Sequence, residues 1–405
     1  MDRQILHVDV NNAFLSWTAV EMLKEGSKVD IRNEACVIGG DAESRKGIVI
    51  AKSMKAKEYG IVTAETIYSA KRKCPWIKTY RGLKYSKYRE YSNKLYNLLK
   101  EYTDIIERFS IDECFLDMTN YLQGRTLLEI GKEINNRARN ELGFTVNVGV
   151  AHNKLLAKMA SDFKKPDRVH TLFEEEIEKK MWTLPISELF MLGRKTVPKL
   201  NSMGIKNIGD LAKYDQRKIV KKFGKFGNQI WEYANGIDNS EVKYLKELPK
   251  SIGHSITLPK DINNIEELKP ILIKLTERVA FKLRQYNMLA NTVNVQLKTN
   301  QFVSFSHQKT FGHGTSSTKE ICHVAKEVLD EMYKSRTPIR LIGVKVDNLI
   351  SADEEQISIF SDIEEKDYKK LDRTIDEIKN KYGFDSITLA RSLETSKDVK
   401  IVFKD

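Results

Sequence analysis

Phe109-Ser110-Ile111-Asp112-Glu113-Cys114-Phe115-Leu116-Asp117 reads as the meeting point of two short strands, 105–111 and 114–118, with adjacent carboxylates between them. Two like charges at a tight hairpin repel each other and add nothing to a core, so they point to a bound positive partner, a divalent cation first. Taken alone, an Asp-Glu pair reads more simply as a polar turn. A third carboxylate, Asp9, shifts that balance, because the flanking periodicity brings it to the same place.

Residues 4–10 form a short apolar-rich strand containing Asp9, and 84–102 spaces Leu95, Leu98 and Leu99 as a helix does. After the hairpin, Leu127, Leu128, Ile130, Ile134, Ala138 and Leu142 mark a second helix, and 145–151 alternates as a strand. The order strand, helix, strand, strand, helix, strand is the split βαβ of a ferredoxin-like sheet, with one large insertion after the first strand. In that sheet the third strand runs antiparallel between the first and second. Asp9 therefore meets Asp112 and Glu113, and three carboxylates on one sheet edge suit two Mg²⁺ ions, since hard cations prefer oxygen.

The chain has 405 residues, 41% of them hydrophobic, enough for more than one core. No apolar run approaches the roughly 20 residues needed to span a bilayer, and the chain opens on a strand, not a signal peptide, so a cytoplasmic location is expected. Cys36, Cys74, Cys114 and Cys322 are scattered without a Cys-x-x-Cys pair, which suggests neither a zinc site nor a disulfide framework. From residue 351 onward there are 10 Lys/Arg against 14 Asp/Glu, leaving 58 against 42 before it. A basic body with an acidic tail favours a polyanionic partner, nucleic acid above all.

Asp9-Val10-Asn11 followed by Ala13-Phe14, together with Ser110-Ile111-Asp112-Glu113 about a hundred residues on, resembles the Y-family DNA polymerases, especially their bacterial DNA polymerase IV branch. The resemblance implies that Asp9, Asp112 and Glu113 are catalytic and bind two Mg²⁺ per active site, with the Val10 carbonyl as a further ligand. It makes Phe14 the steric gate under the nucleotide sugar. Residues 13–78 would be the fingers, inserted into a palm formed by 1–12 and 79–168. Within them Gly39-Gly40-Asp41 reads as a turn and 47–51 as a buried strand. In Lys52-Ser53-Met54-Lys55-Ala56-Lys57, Met54 and Lys57 stand where the family usually has a Tyr and an Arg on the triphosphate. Lysine keeps the charge but loses the bidentate fork, which implies weaker triphosphate binding. The run from Asn153 to Pro166 resembles the family closely, with Lys165 at its phosphate-contacting position. Lys154 and Lys158, spaced i, i+4, place a cationic helix face beside the acids.

Residues 169–238 read as short helices and tight turns, a small thumb. Leu192-Gly193-Arg194-Lys195-Thr196 resembles a helix-hairpin-helix, whose backbone N–H groups grip DNA phosphate without reading bases, although Met191 replaces the motif's first glycine. Gly193 and Lys195 are its candidate DNA contacts. Pro198 is tolerated if Thr196 is the helix N-cap.

After a polar linker, 239–249, the strand, helix, strand, strand, helix, strand order recurs over 250–350, but its hairpin carries Thr299-Asn300-Gln301 where the first unit has acids. This second unit fits the little finger that the family lays along the duplex, with Lys298, Lys309 and Arg340, beside Lys250, as DNA contacts. In the acidic tail, 351–405, Gln356-Ile357-Ser358-Ile359-Phe360 resembles the peptide by which bacterial polymerases attach to the sliding clamp, with Gln356, Ile359 and Phe360 as anchors. A following amphipathic helix, 366–382, would present Leu371, Ile375 and Ile378 on one face.

The expectation is an α+β chain: ferredoxin-like palm with inserted fingers, small helical thumb with a helix-hairpin-helix, and a second βαββαβ little finger. Its expected work is low-fidelity, translesion, template-directed DNA synthesis by a monomer, with primer-template DNA, dNTPs and a sliding clamp as partners. A nucleotide cyclase uses a similar sheet and metal acids but needs no thumb, second basic unit or clamp peptide. A catalytically weakened DNA- and clamp-binding accessory protein is the other alternative, supported by Met54 and Lys57 and opposed by three intact acids.

Overall fold

The computed structural model describes residues 3–40, 47–245, 247–334, 337–354 and 363–390. It divides into two compact units, residues 1–246 and 247–403.

In the first unit, β1 (Ile5–Val10) is buried along its whole length and turns into α1 (Ala13–Lys24) through Asn12 at φ 48°. Asparagine tolerates that left-handed conformation because its short polar side chain can bond locally. The insertion follows: β2 (Cys36–Gly39), β3 (Val49–Lys52), α2 (Met54–Glu58), α3 (Ile67–Lys73) and β4 (Lys78–Arg81), with the strands in the order β3-β2-β4. The strand expected to be buried over 47–51 instead alternates, Val49 and Ala51 inward and Ile50 outward, as an edge strand covered on one side does. Gly39 ends β2 and is not part of a turn, and Asp41 lies outside the described residues. Because β4 pairs with β2 as far as Gly39↔Arg81, the insertion closes after residue 81, beyond the expected 78.

The chain then returns through α4 (Tyr85–Leu99), β5 (Ile106–Arg108), β6 (Glu113–Asp117), α5 (Leu127–Arg137), β7 (Val146–Ala151), α6 (Lys154–Asp162) and β8 (Val169–Thr171). Thr126 and Glu129 form a reciprocal capping box that sets the start of α5. The sheet order β5-β6-β1-β7-β8 contains the expected ferredoxin-like arrangement, with β6 between β1 and β5. There are two corrections. β5 is only three residues long, so residues 109–112 form the turn and Glu113 opens β6. β8 adds to β7 in parallel, so the palm sheet continues past the expected boundary at 168.

The thumb holds α7 (Val197–Asn201), α8 (Ile208–Ala212), α9 (Gln216–Phe223) and α10 (Lys225–Ala234). Within the expected linker, 239–249, residues 239–245 form neither helix nor strand, and their first part is pinned to this unit. The Arg3 guanidinium donates to the carbonyls of Asp238 (2.9 Å) and Ser240 (2.6 Å), and Val242 is buried among thumb and α6 side chains.

In the second unit, β9 (Ser251–Ile262), α11 (Ile265–Gln285), β10 (Met288–Thr299), β11 (Ser304–Thr315), α12 (Thr318–Met332) and β12 (Ile339–Ser351) repeat the element order, but the antiparallel sheet runs β11-β10-β12-β9. The return strand of its hairpin lies at the edge and does not neighbour the first strand. The same element order thus gives a different sheet, and this hairpin turn is carried away from the end of β9. Val293, Val295 and Leu297 point into the core beneath α11 and α12.

A final helix, α13 (Ile363–Tyr382), belongs to this unit. Of the expected apolar face, Leu371 is 54% exposed while Ile375 and Ile378 are half-buried, and ionic contacts join the dock: Arg284 grips Asp376 bidentately (2.6 and 2.7 Å) and the Thr318 N–H donates to Asp372. The expected clamp peptide, Gln356 to Phe360, lies outside the described residues. Among the described residues, no helix is long and apolar enough to cross a membrane.

Candidate active site

Asp9 sits opposite Glu113 in the antiparallel β1–β6 ladder, so their carboxylates leave the sheet on the same side. Asp112, the last turn residue, is fixed beside them because the Val10 N–H donates to its carbonyl (3.0 Å) and the Ser110 hydroxyl to its carboxylate. The three predicted acids therefore converge, as the topology requires.

They meet cations supplied by the chain itself. Lys158 on α6 reaches Glu113 (2.6 Å), Asp162 (3.1 Å) and Asp9 (3.6 Å), while Lys165 reaches Asp9 (2.6 Å) and Asp162 (2.8 Å). Burial raises the Asp9 carboxyl above its ordinary range, and the charges of Lys165 and Lys158 oppose that rise only in part. Burial also works against the charge on Lys158, but Asp162, Asp9 and Glu113 outweigh it and hold the ammonium above its usual range. An all-oxygen donor set of Asp9, Asp112 and Glu113 fits a hard divalent cation such as Mg²⁺. Among the described residues, however, no three acidic, histidine or cysteine side chains stand close enough to form a ready-made cage.

These groups line one cleft of about 490 Å³, together with Val10, Phe14, Met54, Lys57 and Lys165. All the residues that the sequence assigned to metal and nucleotide thus share a single cavity. Phe14 projects from the first turn of α1, its ring edge-to-face with Tyr88 at 4.7 Å. Lys57 and Met54 enter from α2, whose N-cap Ser53 accepts the Ala56 N–H. Lys154 does not join Lys158: it turns to Glu107 (2.7 Å) and the Glu241 carbonyl (3.2 Å) at the linker.

Two positions at the site escaped the sequence reading. Asp162 lines the cleft and receives both lysines, and its spacing, i+4 from Lys158 and i−3 from Lys165, was the available signal. Asn147 is a polar residue buried at 0% exposure inside an otherwise apolar strand. Its amide donates to the carbonyls of Ser161 and Lys164, and its oxygen accepts from Asn11, whose own oxygen takes the Asp167 N–H. This buried network fixes the backbone on both sides of Lys165.

The expected DNA contacts are placed unevenly. At the thumb, Gly193 is open to space where a Cβ would sit, Lys195 lies in the turn before α7, and Thr196 occupies the N-cap without a side-chain cap bond. Met191 takes φ 71°, the left-handed backbone for which the motif normally uses glycine. In the second unit, Lys298 shares a polar, open sheet face with Gln296, Asn294 and Lys345, and Arg340 lies over the ring of Phe302 at 4.9 Å. Lys309 differs. It pairs with Val293, so it points to the helix-covered face, and it is bound by Glu331 (2.6 Å) and Glu327 (3.1 Å) of α12.

Comparison with known proteins gives a consistent picture. Residues 8–162 match the impB/mucB/samB family, 249–359 match the C-terminal domain of that family, and 189–238 match a family described as the thumb domain of DNA polymerase iota. The chain is 46% identical to the DNA polymerase IV of Clostridium acetobutylicum over 99% of its own length and 100% of that protein. It is 38% identical to the DNA polymerase IV of Acetivibrio thermocellus, covering 96% of each chain. Among solved structures, a Y-family DNA polymerase chimera, Dbh-Dpo4(243-245)-Dbh, superposes with a TM-score of 0.75 at 26% identity, over 86% of this chain and 99% of that one.

Proposed function

Since the chain belongs to the Y-family DNA polymerases and is a DNA-directed DNA polymerase, we propose that it performs low-fidelity, lesion-tolerant synthesis, adding a dNTP to a primer 3′-hydroxyl with two Mg²⁺ ions. The observation that carries this reading is the convergence of Asp9, Asp112, Glu113, Phe14, Lys57 and Lys165 on one cleft.

Asp9, Asp112 and Glu113 would hold the ions, with the Val10 carbonyl beside them. When bound, divalent cations would lower the pKa of the primer hydroxyl and neutralise charge on the triphosphate. The protein's own groups set the geometry around that chemistry. Lys165, with its backbone fixed by Asn147 and Asn11, and Lys57, from the fingers, offer ammonium groups to the phosphates. Phe14, braced by Tyr88, forms the floor that leaves no room for a 2′-hydroxyl. The thumb turn at Gly193 and Lys195, with Lys298 and Arg340 of the little finger, would hold primer-template DNA through its backbone, and Gln356, Ile359 and Phe360 would attach the monomer to a sliding clamp.

Primer extension by purified protein with Mg²⁺, on undamaged templates and on templates carrying an abasic site or a bulky adduct, tests this reading. Extension on both kinds of template is expected. Absence of any extension would favour the weakened accessory protein, and extension that stops at every lesion would remove lesion tolerance.

A further inference from the structure

Asp162 ends α6 at the rim of the cleft, and it contacts neither the strand acids nor the fingers through any ion pair described above. Its two carboxylate oxygens are divided between two lysines: Oδ2 faces Lys158 at 3.1 Å and Oδ1 faces Lys165 at 2.8 Å. Each lysine is at the same time held by a different strand acid, Lys158 by Glu113 and Lys165 by Asp9, both at 2.6 Å. The result is a chain of alternating charges, Glu113, Lys158, Asp162, Lys165, Asp9, with Asp162 as its midpoint.

The two lysines differ in what else restrains them. Lys158 grows from the middle of α6, is 8% exposed and keeps Glu113 whatever Asp162 does. The backbone of Lys165 is fixed by the Asn147 and Asn11 bonds, but its side chain is partly exposed and, among the described residues, has only Asp9 and Asp162 as carboxylate partners. A lysine is a compact charge on a flexible four-carbon stem, and ordering that stem costs rotamer entropy. Held from two sides, the ammonium is kept between Asp9 and the open cleft. With Asp162 gone, it would settle on Asp9 alone, further from an incoming phosphate.

We propose that Asp162 is a positioning residue that pre-places the Lys165 ammonium for the triphosphate of the incoming nucleotide. This inference rests on Lys165 being a phosphate contact. Asp162 touches neither substrate nor reacting atoms in this role, so its effect belongs in nucleotide binding and not in the chemical step.

Steady-state single-nucleotide insertion by the full chain, with a fixed primer-template and varied dNTP, separates the possibilities. Asp162→Asn keeps shape and removes charge; it is expected to raise the dNTP KM about three- to fivefold, as the loss of one partly exposed charge pair would, with kcat within about twofold. Asp162→Glu, which restores the charge on a longer stem, should recover part of the loss. Lys165→Ala should raise KM by itself, and adding Asp162→Asn to it should change little, because the aspartate acts through the lysine. If Lys165→Ala leaves KM unchanged, the phosphate reading of Lys165 is wrong. If Lys165→Ala raises KM but Asp162→Asn does not, or if the two effects simply multiply, Asp162 does not position Lys165. A fall in kcat at unchanged KM, or a thermal transition lowered equally by Asn and Glu, would make the residue structural and overturn the proposal.

Discussion

Asp9 and Glu113 are directly paired across two antiparallel strands, placing two carboxylates side by side, with the Lys158 ammonium 3.6 Å from the first and 2.6 Å from the second. Such a pair costs stability, so its role lies in what it binds. Asp9→Asn or Glu113→Gln should lower nucleotide addition at least about a thousandfold, the several kcal/mol that a metal-held charge supplies, while binding to primer-template DNA stays near that of the parent. Primer extension and fluorescence anisotropy on the same preparations check this. Near-normal extension by either variant would remove the two-metal assignment.

Phe14 is packed edge-to-face on Tyr88 and, at 6.2 Å, on Trp17, so its ring has a structural part beside the selective one proposed for it. Phe14→Ala should lower the thermal transition, at a cost of roughly 1–3 kcal/mol for a half-buried aromatic. It should also raise ribonucleotide use relative to deoxyribonucleotide by at least about tenfold, because the clash that excludes the 2′-hydroxyl is gone. A destabilised variant with unchanged sugar selectivity would leave Phe14 as core alone.

Lys57 brings a point charge to the cleft from the exposed side of α2. Lys57→Arg restores a planar fork that can take two phosphate oxygens at once, so it should lower the dNTP KM by about two- to fivefold at similar kcat. If KM is unchanged or rises, the side chain does not reach the triphosphate, and the weak-binding expectation drawn from this position is wrong.

The tail combines an ionic dock with a proposed clamp peptide. Arg284 holds α13 through Asp376 within the second unit, and the proposed peptide, with Gln356 and Phe360, precedes that helix in sequence. A short peptide of this kind binds weakly by itself and acts by tethering, at an effective concentration on the order of millimolar. Gln356→Ala with Phe360→Ala should leave distributive extension of short primers intact and abolish the stimulation given by loaded clamp. A double variant that still responds to clamp would move attachment elsewhere.

Legibility in the sequence followed how local each signal was. The palm topology and the meeting of Asp9 with Asp112 and Glu113 were readable because strand and helix periods are local, and the split βαβ then dictates which strand ends adjoin. The second unit shows the limit of that logic. Its element order is the same, but periodicity does not say which strand takes the edge, and there β11 lies outside β10 instead of beside β9. The lysine contacts on the acids were half-visible. Lys158 and Lys165 stand out in the sequence as cations near the acids, whereas nothing but its spacing from them marks Asp162, which joins them. The ionic docking of α13 is not legible, because an apolar stripe is the local signal of a packed helix face, and here Leu371 is exposed while Asp372 and Asp376 make the contacts.

The little finger offers a discrimination that charge alone would not. Lys298, Lys309 and Arg340 are all cations of one small sheet, and from the sequence each is an equal candidate for a phosphate contact. The register separates them. Lys298 stands on the open polar face, and Arg340 lies over Phe302 at the hairpin turn, while Lys309 faces α12 and is already neutralised by Glu327 and Glu331. A lysine held by two carboxylates releases no counterion to DNA unless those pairs break first. Lys298→Ala and Arg340→Ala should each weaken binding on every duplex sequence and reduce the magnitude of the salt slope by roughly 0.9. Lys309→Ala should leave the slope unchanged and instead lower the thermal transition slightly, since surface pairs of this kind contribute little. Binding isotherms between about 50 and 200 mM salt measure all three slopes. A slope reduced by Lys309→Ala as much as by Lys298→Ala would mean that DNA draws Lys309 away from α12, and the duplex would then not be held by the open face alone.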